Sequence, residues 1–256
     1  MTLAVPALPS PAADAPSWPL LGLEPLRAAL EYARLRLGSH GTSSKHPVGD
    51  GHSVVIFPGL ASDRRATAPL SRFCSELGYA TLDWGRGFNT GPRGDPIRWM
   101  DELATHVDAL TASGSGRISL VGWSLGGIYA REVAKRLPKR TRQVITIGTP
   151  FAGTPEQTNV SFLYRLLNGN RPVLDAELQR QLVLAPEAPT TSIYSRSDGI
   201  VAWQACVQRG GHARTENIEV AGSHCGLGWN PAVLSVVADR LAQPAGRWRP
   251  HAAGRR

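Results

Sequence analysis

No run of apolar residues in this 256-residue chain approaches the ~20 that a membrane-spanning helix needs, so stable membrane insertion is not expected. Cysteine is scarce. Cys74, Cys206 and Cys225 are the full set, and without a C-x-x-C pair a zinc or thioredoxin-like redox centre has no support. Cys206 and Cys225 fall in late loops and could pair in an oxidising compartment; in a reducing one they stay thiols, and the sequence leaves that choice open. The opening stretch, Met1 to Asp14, has neither a basic n-region nor a continuous apolar segment, so no secretory leader is expected and a cytoplasmic location is the default. Lysine is nearly missing: of 28 basic residues all but three are arginine, and against 20 acidic residues they leave a net charge of +8. No basic stretch is interleaved with aromatics as single-strand binding favours, so nucleic acid is not an expected partner. The charge is read instead as arginine-rich composition plus a basic tail. What remains, 42% apolar and 19% charged residues, is the composition of one globular domain with a substantial core.

Residues 1–19 are rich in Pro, Ala and Ser and read as a loose arm, residues 20–243 as the domain, and 244–256 as the basic tail. From Pro25 to Leu37, Leu26, Leu30, Ala33 and Leu37 recur at helical spacing, which predicts an amphipathic helix packed through those residues. Six strand candidates follow: Ser53–Phe57, Tyr79–Asp83, Ile118 onward, Gln143–Ile147, Thr191–Tyr194 and Asn217–Val220. Helical segments such as Ala68–Leu77 and Ile97–Ala112 separate most of them. Strands alternating with helices imply an α/β fold, a mostly parallel sheet of about six strands covered on both faces. The interval 151–189 breaks this rhythm. Phe162, Leu163, Leu166 and Leu167, then Leu174, Leu178, Leu182 and Val183, fit two short amphipathic helices.

The most informative segment is I-S-L-V-G-W-S-L-G-G-I-Y, Ile118 to Tyr129, with Ser124 inside the chain's single G-x-S-x-G. An apolar strand precedes the serine, and Ile128, Tyr129, Val133, Ala134 and Leu137 follow at helical spacing. Gly122 and Gly126 leave room where side chains would clash in so sharp a turn. The serine is left at a strand's carboxyl end beside a helix N-terminus, which favours developing negative charge. This resembles the nucleophile elbow of the α/β-hydrolase superfamily. A second point of resemblance is I-T-I-G-T-P-F-A-G-T, Ile145 to Thr154, similar to a turn in bacterial lipases whose two variable positions are often His and Arg; here they are Phe151 and Ala152. The resemblance covers roughly residues 53 to 240. It implies a trimmed α/β-hydrolase fold lacking the first two strands, with 151–189 as a small helical lid.

The superfamily orders its partners Ser, Asp or Glu, His, and Ser124, Asp198 and His224 satisfy that order, each just after an expected strand. Asp198 lies in S-D-G-I-V, where Gly199 permits a tight turn; the competing acids Asp175 and Glu187 belong to the lid interval. Of the histidines after Asp198, His212 precedes its strand and His251 lies in the tail, so His224 is the expected base and His212 the fallback. The oxyanion donors implied by the resemblance are the backbone N–H groups of Leu125 and of Leu60, in F-P-G-L after the first strand, where Pro58 stands in place of the frequent histidine. With no paired acids around His224, no metal is expected, and no cofactor. The expected activity is that of a serine carboxylic-ester hydrolase, lipase- or esterase-like, acting on a small-molecule or lipid ester. The same residues would serve a thioesterase or acyltransferase, and a non-catalytic hydrolase-fold receptor is the alternative from another class.

Overall fold

The computed structural model describes residues 15–38, 46–114, 116–153 and 176–252. Its sheet begins with β1 (Ser53–Phe57), whose S-V-V-I-F is buried along nearly its whole length, as a parallel strand covered on both faces must be. β2 (Ala80–Asp83), β3 (Ile118–Trp123), β4 (Thr141–Ile147), β5 (Thr190–Tyr194) and β6 (Thr215–Glu219) complete it. The spatial order is β2-β1-β3-β4-β5-β6, and every neighbouring pair is parallel. All carboxyl ends therefore share one edge, where the connecting loops converge.

Among the described residues six α-helices accompany the sheet: α1 (Trp18–Gly38), α2 (Arg64–Glu76), α3 (Pro96–Leu110), α4 (Leu125–Arg136), α5 (Ala176–Val183) and α6 (Pro231–Leu241). Alternation along the strands assigns the layers. Val54, Ile56, Val121, Ile145 and Ile147 pack with Leu70 of α2 and Val233 and Val237 of α6. Val55, Phe57, Leu120 and Val144 pack on the other side with Leu103 and Val107 of α3 and Tyr129 and Val133 of α4. Three helices start at a side-chain cap: Asp63 accepts from the Arg65 amide, Asp95 from Arg98, and Asn230 from Ala232. Pro96 and Pro231 occupy the first turns, where a missing N–H costs nothing.

Helix α1 departs from its sequence pattern in two ways. It begins at Trp18, inside the segment read as an arm, and it faces the opposite way. Leu26, Leu30 and Leu37, the expected packing stripe, are 59%, 53% and 85% exposed, whereas Glu24 and Glu31 are buried with Ala28. The physical reason is hydrogen bonding: both carboxylates accept backbone N–H groups from the loops at the sheet's carboxyl edge.

Most of the expected lid, including Phe162, Leu163, Leu166, Leu167, Leu174 and the competing Asp175, lies outside the described residues. Its last part is α5, whose carboxyl end is gripped by the buried Arg131. The guanidinium donates to the Val183 and Leu184 carbonyls and to Gln208, and lies over the Phe151 ring. The tail is anchored through its first half, since the Arg249 carbonyl accepts from Arg240 and the His251 amide donates to Glu216. Cys206 and Cys225 are separate free thiols rather than a disulfide.

Candidate active site

Between β3 and α4 the chain turns through a single residue. Ser124 has φ 54° and ψ −126°, left-handed for a residue with a side chain, and its amide donates to the Ile147 carbonyl at 2.8 Å. A Cβ on Gly122 would lie 2.3 Å from the Gly126 carbonyl oxygen, and one on Gly126 2.3 Å from that of Phe57, so both glycines are steric requirements of the turn. Gly127, which sequence reasoning passed over, is a third: its Cβ would strike the Thr149 hydroxyl, tying the elbow to G-T-P.

The three residues singled out from the sequence meet at this turn. The Ser124 hydroxyl lies 3.0 Å from His224 Nε2, and His224 Nδ1 lies 2.6 Å from Asp198 Oδ2. With Nδ1–H donating to the carboxylate, Nε2 carries the lone pair that accepts from serine. The other oxygen of Asp198 accepts the amides of Ile200 and Val201 at 2.8 and 2.7 Å. All three are more than nine-tenths buried. The His224 ring packs against Gly148 (φ 56°), and its carbonyl accepts from Trp123 Nε1 at 3.2 Å. Burial alone would lower the imidazole's pKa. The charge and hydrogen bond of Asp198, with the charge of Glu24 added, outweigh burial and raise it above the ordinary histidine value. His212, the fallback, is engaged elsewhere, with the Pro186 carbonyl at 2.8 Å.

The loop after β1 passes directly beside the elbow: a Cβ on Gly59 would approach that of Ser124 to 3.3 Å. Leu60 follows Gly59, and Leu125 opens α4. Ala61 has φ 55°, and among the described residues it and Ser124 are the only non-glycines with positive φ. Each such residue stores ~1–3 kcal/mol of strain that surrounding contacts must offset. Asn89, fully buried, supplies several of these contacts: its carbonyl accepts from Ala61, its amide donates to Ser62, and its side chain donates to the Pro58 carbonyl. Nothing in the sequence marks Asn89, because its partners lie about 30 positions away and the signal is a buried amide.

A second serine–histidine–aspartate contact occurs at the opposite, amino-terminal edge of the sheet. Asp50 bonds His52 Nδ1, and His52 Nε2 lies 2.8 Å from the Ser119 hydroxyl. Ser119 is interior to β3, has no exposed surface and precedes no helix. Burial pushes the His52 imidazole down; at Asp50 burial works upward, but the hydrogen bonds and charge of His52 and the bond from Arg142 together outweigh it and hold the carboxyl well below the usual carboxylate range. This contact fastens Asp50 and His52 to the sheet; it gives no substrate access to Ser119.

A sequence profile of the alpha/beta hydrolase family matches residues 49–254. The chain belongs to that family. Its curated relatives include the mouse (Mus musculus) serine hydrolase BPHL, 29% identical over 120 residues, and a pimeloyl-[acyl-carrier protein] methyl ester esterase of Shewanella woodyi, 29% identical over 111. These matches take in 44% and 42% of this chain, and 41% of each relative's length. Among solved structures, Aspergillus fumigatus lipase B superposes with a TM-score of 0.56 at 19% identity, over 76% of this chain and 53% of that one. A Pyrococcus furiosus esterase gives 0.57 at 17%, over 75% and 81%. At such identities the superpositions establish the shared alpha/beta hydrolase fold. Helix α1 precedes the residues that the family profile matches.

Proposed function

We propose that the chain is a serine hydrolase of carboxylic esters. One observation carries the reading: a strained serine at a helix N-terminus, hydrogen-bonded to a buried histidine whose other nitrogen is held by a buried aspartate. A serine hydroxyl is a weak nucleophile until a base takes its proton during attack. In this mechanism Ser124 Oγ attacks the ester carbonyl carbon while its proton passes to His224 Nε2. Asp198 keeps the imidazole oriented and stabilises the imidazolium that forms. The carbonyl oxygen becomes an oxyanion facing the N–H groups of Leu60 and Leu125, which are fixed before the reaction begins. As the tetrahedral intermediate collapses, the bond to the alcohol oxygen breaks and His224 returns the proton to it. Water then attacks the acyl-enzyme by the same route, releasing the acid and restoring Ser124.

Two relatives carry names consistent with this chemistry, a serine hydrolase and a methyl ester esterase. The test is hydrolysis of p-nitrophenyl esters from acetate to palmitate by wild type and Ser124→Ala. Turnover by wild type, lost in the variant without loss of folding, supports the assignment, and the preferred chain length separates esterase from lipase. A folded wild type inert on every chain length, and unlabelled at Ser124 by a fluorophosphonate, refutes it. In that event, retained ligand affinity in Ser124→Ala would favour a receptor.

A further inference from the structure

The loops carrying the proposed acid and base are joined by a residue from the other end of the chain. Glu24 of α1 is 2% exposed. Its Oε1 accepts the amide of Gly199 at 2.7 Å and that of His224 itself at 3.0 Å, and its Oε2 accepts that of Cys225 at 3.0 Å. Gly199 directly follows Asp198, so one carboxylate holds both the acid's neighbour and the base. About two turns further along α1, Glu31 accepts the Ser223 amide at 2.8 Å and lies 3.3 Å from Asn230 Nδ2. Arg27, between the two, donates to the Ser197 carbonyl and hydroxyl at 2.6 and 2.9 Å and lies 3.8 Å from Glu24.

Steric evidence agrees independently. A Cβ on Gly199 would lie 2.5 Å from the Leu20 carbonyl oxygen, and one on Gly226 would lie 2.0 Å from Glu31 Oε2. Gly199 therefore serves close approach of α1 rather than the turn expected from Asp-Gly, and its φ is not among the positive ones. A buried carboxylate is costly unless its lone pairs are filled, and bonds from backbone N–H groups to a carboxylate are among the stronger kinds. Glu24 accepts three such bonds.

Resting on the ester-hydrolase reading, we propose that Glu24 is a positioning residue: it locks the Asp198 and His224 loops in one register and biases the imidazole through its charge. The His224 ring is hydrogen-bonded to Ser124 and Asp198 and feels the charge of Glu24; the Cys225 thiol lies near Glu24, Asp198 and Glu31, and Arg27 lies beside Glu24. Burial first, and then the charge and hydrogen bond of Glu24, push that thiol up to about 12, so it stays neutral. A negative charge beside an imidazole favours its protonated form. Removing that charge lowers the pH at which the base becomes available.

The experiment is ester turnover against pH for wild type, Glu24→Gln and Glu24→Asp, with a melting curve for each. Glu24→Gln keeps the shape but removes the charge and turns an NH2 group toward N–H donors. It is expected to lose about 10²-fold in kcat/KM, the scale set by misplacing a catalytic group by ~1 Å, mostly in kcat, with the acid limb moved to lower pH. Glu24→Asp keeps the charge but falls a methylene short, so it loses rate while its acid limb stays near the wild-type position. A Glu24→Gln enzyme with wild-type kcat/KM overturns the proposal. So does a fall in rate that leaves the acid limb unmoved, which would mark a merely structural role. If Glu24→Gln does not fold, Gly199→Ala drives α1 off Gly199 with Glu24 intact; the same loss and shift are expected, and a wild-type profile overturns the proposal. A folded wild type that is inert and unlabelled by a fluorophosphonate sinks the ester-hydrolase reading, whereas an active wild type with an indifferent Glu24 sinks this inference alone.

Discussion

Replacing Asn89 by alanine isolates the brace under the loop after β1, which is proposed to supply an oxyanion donor. Among the described residues the side chain makes three hydrogen bonds: to the Pro58 carbonyl at 2.9 Å, from the Gly91 amide at 3.0 Å and from the Tyr129 hydroxyl at 3.1 Å. Alanine leaves the Pro58 carbonyl and the Gly91 N–H buried without these partners, at about 1–3 kcal/mol each. Partial relaxation brings the expected loss to about 3 kcal/mol, or about 6–12 °C in Tm for a domain of this size. Tyr129→Phe removes the hydroxyl's bond to Asn89 and leaves Asn89 its Gly91 donor, so about 1 kcal/mol is expected from the loss of that bond. The backbone bonds of Asn89 to Ala61 and Ser62 survive in both variants. Of the two further bonds that Asn89→Ala loses, to Pro58 and from Gly91, the Pro58 bond holds the loop beside Ser124, and kcat in Asn89→Ala should fall about tenfold or more with little change in KM. Urea denaturation and ester kinetics on the same samples measure both quantities. An Asn89→Ala protein as stable as Tyr129→Phe, or one with undiminished kcat, would refute the bracing argument.

Other outcomes follow from the same geometry. Since His224 is raised above the ordinary 6.5 and, as the proposed base, has to be neutral, kcat/KM should fall on the acid side with an apparent pKa above 6.5, read from a pH profile. Ser119→Ala, at the other serine–histidine–aspartate contact, should cost about 1–2 kcal/mol in urea denaturation because it strips His52 of a buried partner, while ester turnover stays within about twofold. Leu26→Ser and Leu30→Ser should each change stability by less than about 0.5 kcal/mol, against about 2–5 for a buried leucine; a melt showing the larger value would mean that α1 is oriented the other way.

That last contrast locates where the sequence was legible. The buried parallel strands announce themselves as continuous apolar runs, and the elbow, Asp198 and His224 can be found because a parallel sheet places successive strand ends at one edge. Strand boundaries moved by only a few residues, as for Gln143–Ile147 against the observed Thr141–Ile147. Helix α1 defeated the reading because hydrophobic spacing reports only apolar burial. Its buried side is held by carboxylates that accept amides 175 and 200 positions away, and no local pattern encodes such partners. Asn89 was invisible for the same reason. Gly199 was visible but misread, as a turn residue rather than a gap for a neighbouring backbone.

The reach of those bonds also bears on the order in which the molecule assembles. Contacts between β1, β3 and β4 join segments within one half of the chain, whereas α1 meets the His224 loop only after almost the whole chain has been brought round. Closing so long a loop is entropically unfavourable, and docking through a few polar bonds offers little early reward. During refolding, burial of Trp84, Trp99 and Trp123 in the sheet's two cores should therefore precede the return of catalytic competence, with α1 the last piece to seat.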